Sequence, residues 1–306
     1  MLNQLSLAKK LFIGTLAVVI CVILIMVGIN SYQGRQSVLA QSKQRIEDVS
    51  QVLLKTVSLY HEMTMEKAAT DLGIFEAQQS IAGAPAVNAI KKATIQTRER
   101  ATGRTQKMTL PKLMFGVDFA SLNFDVVDKV ANISGATAEV YQFHEGKLIC
   151  VSTSREGTGA DRPVGDVYPA GHDIVQAVSS GEIFQGFTAH GGQRYVSMFK
   201  PIRDRMESKV IGALHVRRKL LHPEFADLVR RTSVNGKGRV LAFDHQGKVQ
   251  IAPDGQTFQG TLLDLSYGQK LMDSDDGLLS YQDNGETTLA AVQSFAPWDM
   301  RFAVTV

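Results

Sequence analysis

Apolar and polar positions change rhythm three times along the chain. After Lys9-Lys10, the stretch from Leu11 to Ile29 carries 19 residues without a charge. At about 1.5 Å per residue, a helix of that length reaches about 28 Å, close to the thickness of a bilayer core. The run outlasts the apolar stretch of a secretion signal, the rival reading, and no small-residue cleavage pattern follows it. It predicts a retained transmembrane helix over 11–29. The two lysines before it place 1–10 in the cytoplasm and everything after Ile29 outside. With no second run of spanning length, the expected arrangement is a single span in the inner membrane, with the bulk of the chain periplasmic.

The second rhythm has a period of three and four. From Ser31 to about Leu72 there is no proline, and Ile46, Val49, Leu53, Tyr60 and Met63 recur at helical spacing. About 40 helical residues would extend about 60 Å. Two compatible readings follow: a coiled-coil-like stalk joining two copies into a homodimer, or one long helix carrying a small domain. At AGAPAV (82–87) the helix should break. The basic stretch KKATIQTRERATGRTQKMTLPK (91–112) holds seven basic residues and one acid, Glu99. It reads as a solvated helix or loop rather than a partner-binding patch.

The third rhythm is an alternation of period two, and it repeats. VYQFHEGKLICVST (140–153) and VLAFDHQGKVQIAP (240–253) both read strand, turn, strand, and His144 recurs as His245, 101 residues on. YVSMFKPI…VIGALHV is answered by LAAVQSFAPW…RFAVTV, with Pro201 and Pro297 in matching places. Two elements recurring in order mark two copies of one β-rich unit. The first also holds GHDIVQAVSSGE (171–182), a short helix ended by Gly181. Each unit reads as a hairpin, a short helix and two antiparallel strands. The fold class is therefore α+β, with two PAS-like antiparallel-sheet modules on a long stalk helix.

One strand of the first unit raises a question of chemistry. In VIGALHVRRK (210–219), one face receives Val210, Gly212, Leu214 and Val216; the other receives Ile211, Ala213, His215 and Arg217. That second face starts apolar and ends on an imidazole and a guanidinium. Either its far end meets water, or the polar pair closes the mouth of a pocket. Other polar residues should converge there: Ser152, Thr153 and Arg155 in VSTSR, Arg162 in DRPVGD, and Tyr195, Ser197 and Phe199 on one strand face. Arginines and hydroxyls over an apolar floor suit a small ligand bearing a carboxylate, because a guanidinium offers a planar donor fork.

Composition narrows the picture only slightly. The 306 residues are 44% hydrophobic and 21% charged, enough for two domains with cores, and a net charge of +3 gives no reason to expect a nucleic-acid partner. The partners expected are a small molecule, the lipid bilayer and a second copy of the chain. Cys21 lies in the expected span and Cys150 in a strand, where it reads as a small buried hydrophobe. No CxxCH, Walker A loop, GxSxG elbow or kinase signature occurs. His61-Glu62 is not HExxH, and His215 and His222 lack zinc spacing. DSDDG (273–277) fails as a calcium loop because Leu278 and Asn284 stand where glycine and glutamate are needed. No metal, cofactor or catalytic residue is expected.

At these residues the sequence resembles the Cache 3/Cache 2 fusion domain of bacterial chemoreceptors and sensor kinases. The resemblance rests on PKLMFGVD…NFDVVDKVANISGATAEVYQ, ICVSTS…GADRPVGDVY, SSGEIFQGFTAHGGQRYVSMFKPIRD and VIGALHV, and covers roughly 45–306. It implies an extracytoplasmic ligand sensor with output across the membrane: 31–109 a long helix and connecting segment, 110–220 a membrane-distal module, 221–306 a membrane-proximal one. It also implies roles for Ser152 and Thr153 on a hydroxyl-rich strand, Arg162 and Gly165 in a turn, and Tyr195, Ser197 and Phe199 on a strand. Pro163 and Asp166 depart from the family pattern, and Arg155 and His215 have no firm counterpart in it. The expected role is the sensor region of a methyl-accepting chemotaxis receptor. The alternatives are the input region of a histidine kinase or diguanylate cyclase, or a membrane-tethered periplasmic enzyme. The first module is expected to bind the ligand, because the matching strands of the second offer mainly Leu289, Ala291 and Trp298.

Overall fold

Helix α1 (Leu7–Ala82) runs ten residues past its expected end near Leu72. The sequence between has no proline, and Phe75, fully buried, anchors the extra turns. The helix stops at Gly83, whose φ of +123° suits glycine and whose Cβ, if present, would lie 2.5 Å from the Cα of Gly116. The computed structural model describes residues 7–100, 102–156, 162–206, 208–232, 238–253, 260–283 and 285–306, without the side chains of 7–21, 23, 28, 31 and 35. Among the described residues no helix is long and apolar enough to cross a membrane. The expected span, 11–29, lies largely outside the described side chains.

The buried stripe of α1 is Ile46, Leu53, Val57, Ala68, Leu72 and Phe75. Of the stripe expected to meet a second copy, Ile46 and Leu53 are therefore turned inward, Val49 and Tyr60 are half-buried, and Met63 is exposed. A different set faces outward: Val38, Val52, Leu59 and Met63.

The chain divides into two compact units, one of Ser58–Pro223 and one of Met1–Val57 with Glu224–Val306. The first holds β1 (Pro85–Glu99), β2 (Thr105–Phe115), β3 (Asp118–Phe119), α2 (Asp125–Ser134), β4 (Thr137–His144), β5 (Lys147–Thr153), β6 (Asp166–Tyr168), α3 (Asp173–Ser180), β7 (Phe184–His190), β8 (Gln193–Arg203) and β9 (Val210–Lys219). They form one sheet in the order β3-β2-β1-β6-β5-β4-β9-β8-β7. The basic segment expected as helix or loop is the hairpin β1–β2. Its alternation is real but thinly apolar: Ala93, Ile95 and Thr97 are buried, while the residues between them are exposed. This hairpin joins the sheet through a parallel contact between β1 and β6, with Arg98 opposite Asp166.

The second unit holds α4 (Pro223–Arg231), β10 (Arg239–Asp244), β11 (Val249–Ile251), α5 (Gly268–Asp273), β12 (Gly277–Asp283), β13 (Glu286–Phe295) and β14 (Met300–Thr305). Its sheet order, β11-β10-β14-β13-β12, reproduces β5-β4-β9-β8-β7 of the first unit strand for strand. The repeat read from sequence is thus a repeat of topology. Pro201 does not separate two strands; it lies within β8, beyond the last β7 partner at Phe199, where one side of the strand is open and a missing N–H costs little. In the first unit α3 packs Ile174, Val175 and Val178 on Tyr141, Leu148, Cys150 and Phe199. In the second, Leu262, Leu265, Tyr267 and Leu271 lie over Leu241, Phe243, Ala290 and Ala303. The acidic turn before β12 is held by Ser294, whose backbone N–H and hydroxyl both donate to Asp276.

Candidate functional site

The polar end of β9 does not meet water. His215 is 0% exposed and Arg217 3%. Both lie on the α3-facing side of the sheet with Ala213. Across the β4 rung from His215 stands Glu139, also 0% exposed. The His215 Nδ1–H donates to Glu139 Oε2 at 2.8 Å, since a carboxylate can only accept. The Tyr141 hydroxyl donates to the same oxygen at 3.2 Å, and the Thr153 hydroxyl to Oε1 at 3.0 Å. Arg155 Nε lies 2.6 Å from Oε1 and its Nη2 3.0 Å from Asp166 Oδ2. The strand can come this close because Gly212, three rungs on, lies where a Cβ would be 2.2 Å from the Tyr141 carbonyl oxygen.

Burial alone would push the Glu139 carboxyl up; the hydrogen bond from His215 and the charges of Arg217 and Arg155 overcome it and hold the group well below the usual range. Burial brings His215 down to about 4 against the pull of Glu139, so it is neutral, with its proton on Nδ1. Among the described residues its Nε2 lone pair has no hydrogen-bond partner, and neither do Arg217 Nε and Nη1. Arg217 instead lies over the Tyr195 ring, 4.5 Å from its centroid, and 4.0 Å from Glu139 Oε1. His215 stacks on Phe199 at 3.8 Å. Burial pushes the Cys150 thiol well up, which fits a packing residue and not a nucleophile.

Beside this cluster lies a cavity of ≈ 240 Å³ lined by Arg100, Tyr168, Pro169, His172, Phe187, Thr188 and Ala189. Arg100 is its charged wall, donating to the Tyr168 hydroxyl and, at 3.1 Å, to the Ala189 carbonyl. Its other contact is His190, 3.0 Å away, whose second ring nitrogen is 3.1 Å from Arg155. Thr188 on the wall shares a 2.6 Å hydrogen bond with Ser197, which lies opposite Arg217 in the sheet. Arg100, Arg155 and Arg217 face Glu139 and Asp166, leaving the site one positive charge in excess.

Seven of the nine expected residues share this face: Thr153, Arg155, Tyr195, Ser197, Phe199, His215 and Arg217. None of the nine is part of the cavity wall itself. Two lie elsewhere. Ser152, one residue from Thr153, points to the opposite face and donates to the Asn123 carbonyl at 2.6 Å. Arg162, expected to reach in from above, instead pairs with Asp128 of α2 and lies on the Phe124 ring, 4.7 Å from its centroid. His215 and Arg217 are not at a rim but sealed beneath one.

Sequence reading missed Glu139, Arg100, Asp166, Tyr168, Thr188 and His190. Glu139 had a signal: one carboxylate inside an apolar strand, in phase with Tyr141 and Phe143, has to be paired if it is buried. Arg100 had none, because its position depends on the parallel pairing of β1 with β6.

The Cache 3/Cache 2 fusion domain family model matches residues 31–306 of this chain. No curated protein matches the sequence. Among solved structures, the sensory domain of the Campylobacter jejuni chemoreceptor Tlp3 is similar at 16% identity and a TM-score of 0.45, over 89% of this chain and 95% of that one. The ligand-binding domain of the Pseudomonas aeruginosa amino acid chemoreceptor PctC, in complex with GABA, is similar at 11% identity and 0.48, over 86% and 99%. The periplasmic domain of RsbU from Chlamydia trachomatis is similar at 11% and 0.45, over 88% and 95%.

Proposed function

Since this chain belongs to the Cache 3/Cache 2 fusion domain family, we propose that it is the extracytoplasmic sensing region of a membrane receptor, with chemotaxis through a methyl-accepting output as its role. The ligand is a small carboxylate bound by the first module. One observation carries this reading: Arg217, 3% exposed, aims two donors at no protein acceptor, in a site with one positive charge in excess. A buried guanidinium with unmet donors is costly, and an anion entering past the Thr188–Ser197 hydroxyl pair would meet them. Thr153, Arg155, Tyr195, Ser197, Phe199 and His215 shape and charge that position; Ser152 and Arg162 are left out of it.

The test is a thermal-shift screen of small carboxylates on the chain, followed by titration of any that raise the melting temperature. Arg217→Gln should weaken binding by about ten- to a hundredfold, the worth of one charge-assisted contact. Unchanged affinity in that variant would sink the assignment.

We also propose that residues 11–29 anchor the chain in the inner membrane, that 110–220 is the membrane-distal module, and that two copies pair along α1. The outward residues Val38, Val52, Leu59 and Met63 support the pairing: Val38, Val52 and Leu59 fall on one heptad phase and Met63 one turn on. Single cysteines at Val52 and Leu59 should crosslink between copies in membranes, whereas cysteines at the inward Leu53 and Val57 should not. Equal crosslinking at all four would argue for an unpaired helix.

A further inference from the structure

The second module has a cavity of its own, ≈ 230 Å³, lined among others by Arg239, Leu265, Tyr267, Tyr281, Asp283 and Glu286. Its position follows from the repeat. Aligning VYQF with VLAF sets Glu139 against Arg239. In the first sheet Glu139 pairs with His215, and His215 with Phe199; in the second Arg239 pairs with Thr305, and Thr305 with Ala290. Carried to the outer hairpin, the rung Thr188–Tyr195 of the first cavity corresponds to the rung Asp283–Glu286 of the second. Both cavities also lie beneath the segment that leads into the covering helix: Tyr168 to His172 before α3, and Leu265 to Tyr267 before α5. The two sites are equivalent by register.

Their charges are opposite. Where the first module has a hydroxyl and a phenol on its outer rung, the second has two carboxylates, and where the first has the buried Glu139 the second has an exposed arginine. Asp283 and Glu286 against Arg239 leave one negative charge in excess. Tyr267 and Tyr281 also line the cavity, their rings stacked on each other 4.4 Å apart at 21°. Tyr281 is 6% exposed. A cavity with carboxylates at one end and aromatic faces at its side recognises an ammonium group: the carboxylates accept from its N–H groups, and the rings cover its carbon body and attract its charge. Leu289, Ala291 and Trp298, which seemed to be all this module had to offer, belong to other surroundings; Trp298 is 0% exposed against Phe225 and Phe295.

We propose that the second module is a second ligand site, for a small primary amine, with Asp283 and Glu286 holding its ammonium group. The two modules would then respond to ligands of opposite charge. Isothermal titration of the whole chain in detergent micelles tests this with butylamine, 1,4-diaminobutane and, as an anion of matching length, butyrate. The amines should bind saturably, and the double variant Asp283→Asn/Glu286→Gln, melting with the parent, should weaken them by about ten- to a hundredfold or more. Arg217→Gln, which tests the first module, should leave amine binding unchanged, so the two readings fail separately. The proposal is overturned if neither amine saturates the chain, if the double variant binds amines as tightly as the parent, or if Arg217→Gln removes amine binding while the double variant keeps it.

Discussion

In the first module the rung of β4 that faces β9 carries Glu139, sealed from water and bound by five side chains; in the second the same rung carries Arg239, exposed at the start of β10. The scaffold beneath is the same five-strand order in both. What differs is the depth of the charge, and depth determines how much of the structure depends on it. A buried carboxylate among guanidiniums must be matched group by group, so the first site is part of the fold's own stability. An exposed guanidinium is already matched by water, so the second site can change its chemistry at little structural cost.

The comparison is broken most directly at that rung. Glu139→Ala would leave Arg155 and Arg217 facing each other without their shared counter-charge. It should cost about 3–5 kcal/mol in denaturant unfolding, the usual penalty for stripping one partner from a buried ion pair. Arg239→Ala should stay within about 0.5 kcal/mol of the parent. Similar losses for the two would mean that depth is not the controlling variable.

Acid should act on the His215 rung of the first module and not on its counterpart in the second. His215 in the folded chain holds a proton more weakly than a free imidazole, its pKa being about 4 against 6.5. Its stabilisation is therefore complete above pH 6.5 and drains away as the pH falls towards 4, by about 3 kcal/mol in all. The second module has Thr305 at that rung and nothing to titrate. Melting temperatures between pH 7 and 4 should decline less in His215→Gln than in the parent; parallel declines would remove His215 as the cause.

The Tyr141 hydroxyl sharpens the comparison on a smaller scale, because its counterpart, Leu241, has no polar atom. Tyr141→Phe should cost about 1.5 kcal/mol, the low end for one hydrogen bond to a charged group, as its length of 3.2 Å suggests. Arg162→Ala should cost less still, about 0.5 kcal/mol, because its partner Asp128 is partly exposed and screened. It should also leave carboxylate binding intact. Loss of binding in that variant would return Arg162 to the site.

The repeat was legible in sequence because two aromatic-bearing strands and their Gly-Lys turns survive in both copies. The polar end of β9 was legible because an apolar strand that ends on His215 and Arg217 breaks its own alternation. Two kinds of information were not. A one-residue step decides the face, and the irregular pairing of β4 with β5, which shifts between Val140 and Tyr141, puts Thr153 rather than Ser152 on the face that Cys150 shares. Residues brought in by the β1–β2 hairpin were also hidden, since its basic, thinly apolar sequence gives a weak strand signal and its parallel partner lies 68 residues from Arg98. The second cavity was hidden for a third reason: its acids sit at the hairpin end, where acidic residues read as ordinary turn chemistry.

Strand β9 has one more property. Arg217 and Arg218 are neighbours in the chain, so their side chains leave the strand in opposite directions. Arg217 belongs to the proposed carboxylate site, while Arg218 clamps Asp71 of α1 with contacts of 2.5 and 3.0 Å. On β8 Lys200 grips Glu76 at 2.5 Å, one further turn along the same helix. The strand is therefore placed to couple the proposed site to α1. A ligand that draws Arg217 by a fraction of an ångström would tug Arg218 with it, and through Arg218 both α1 at Asp71 and the end of α2 at Ser134. We expect Asp71→Asn to bind carboxylate as the parent does, while hydrogen exchange along α1 no longer responds to it.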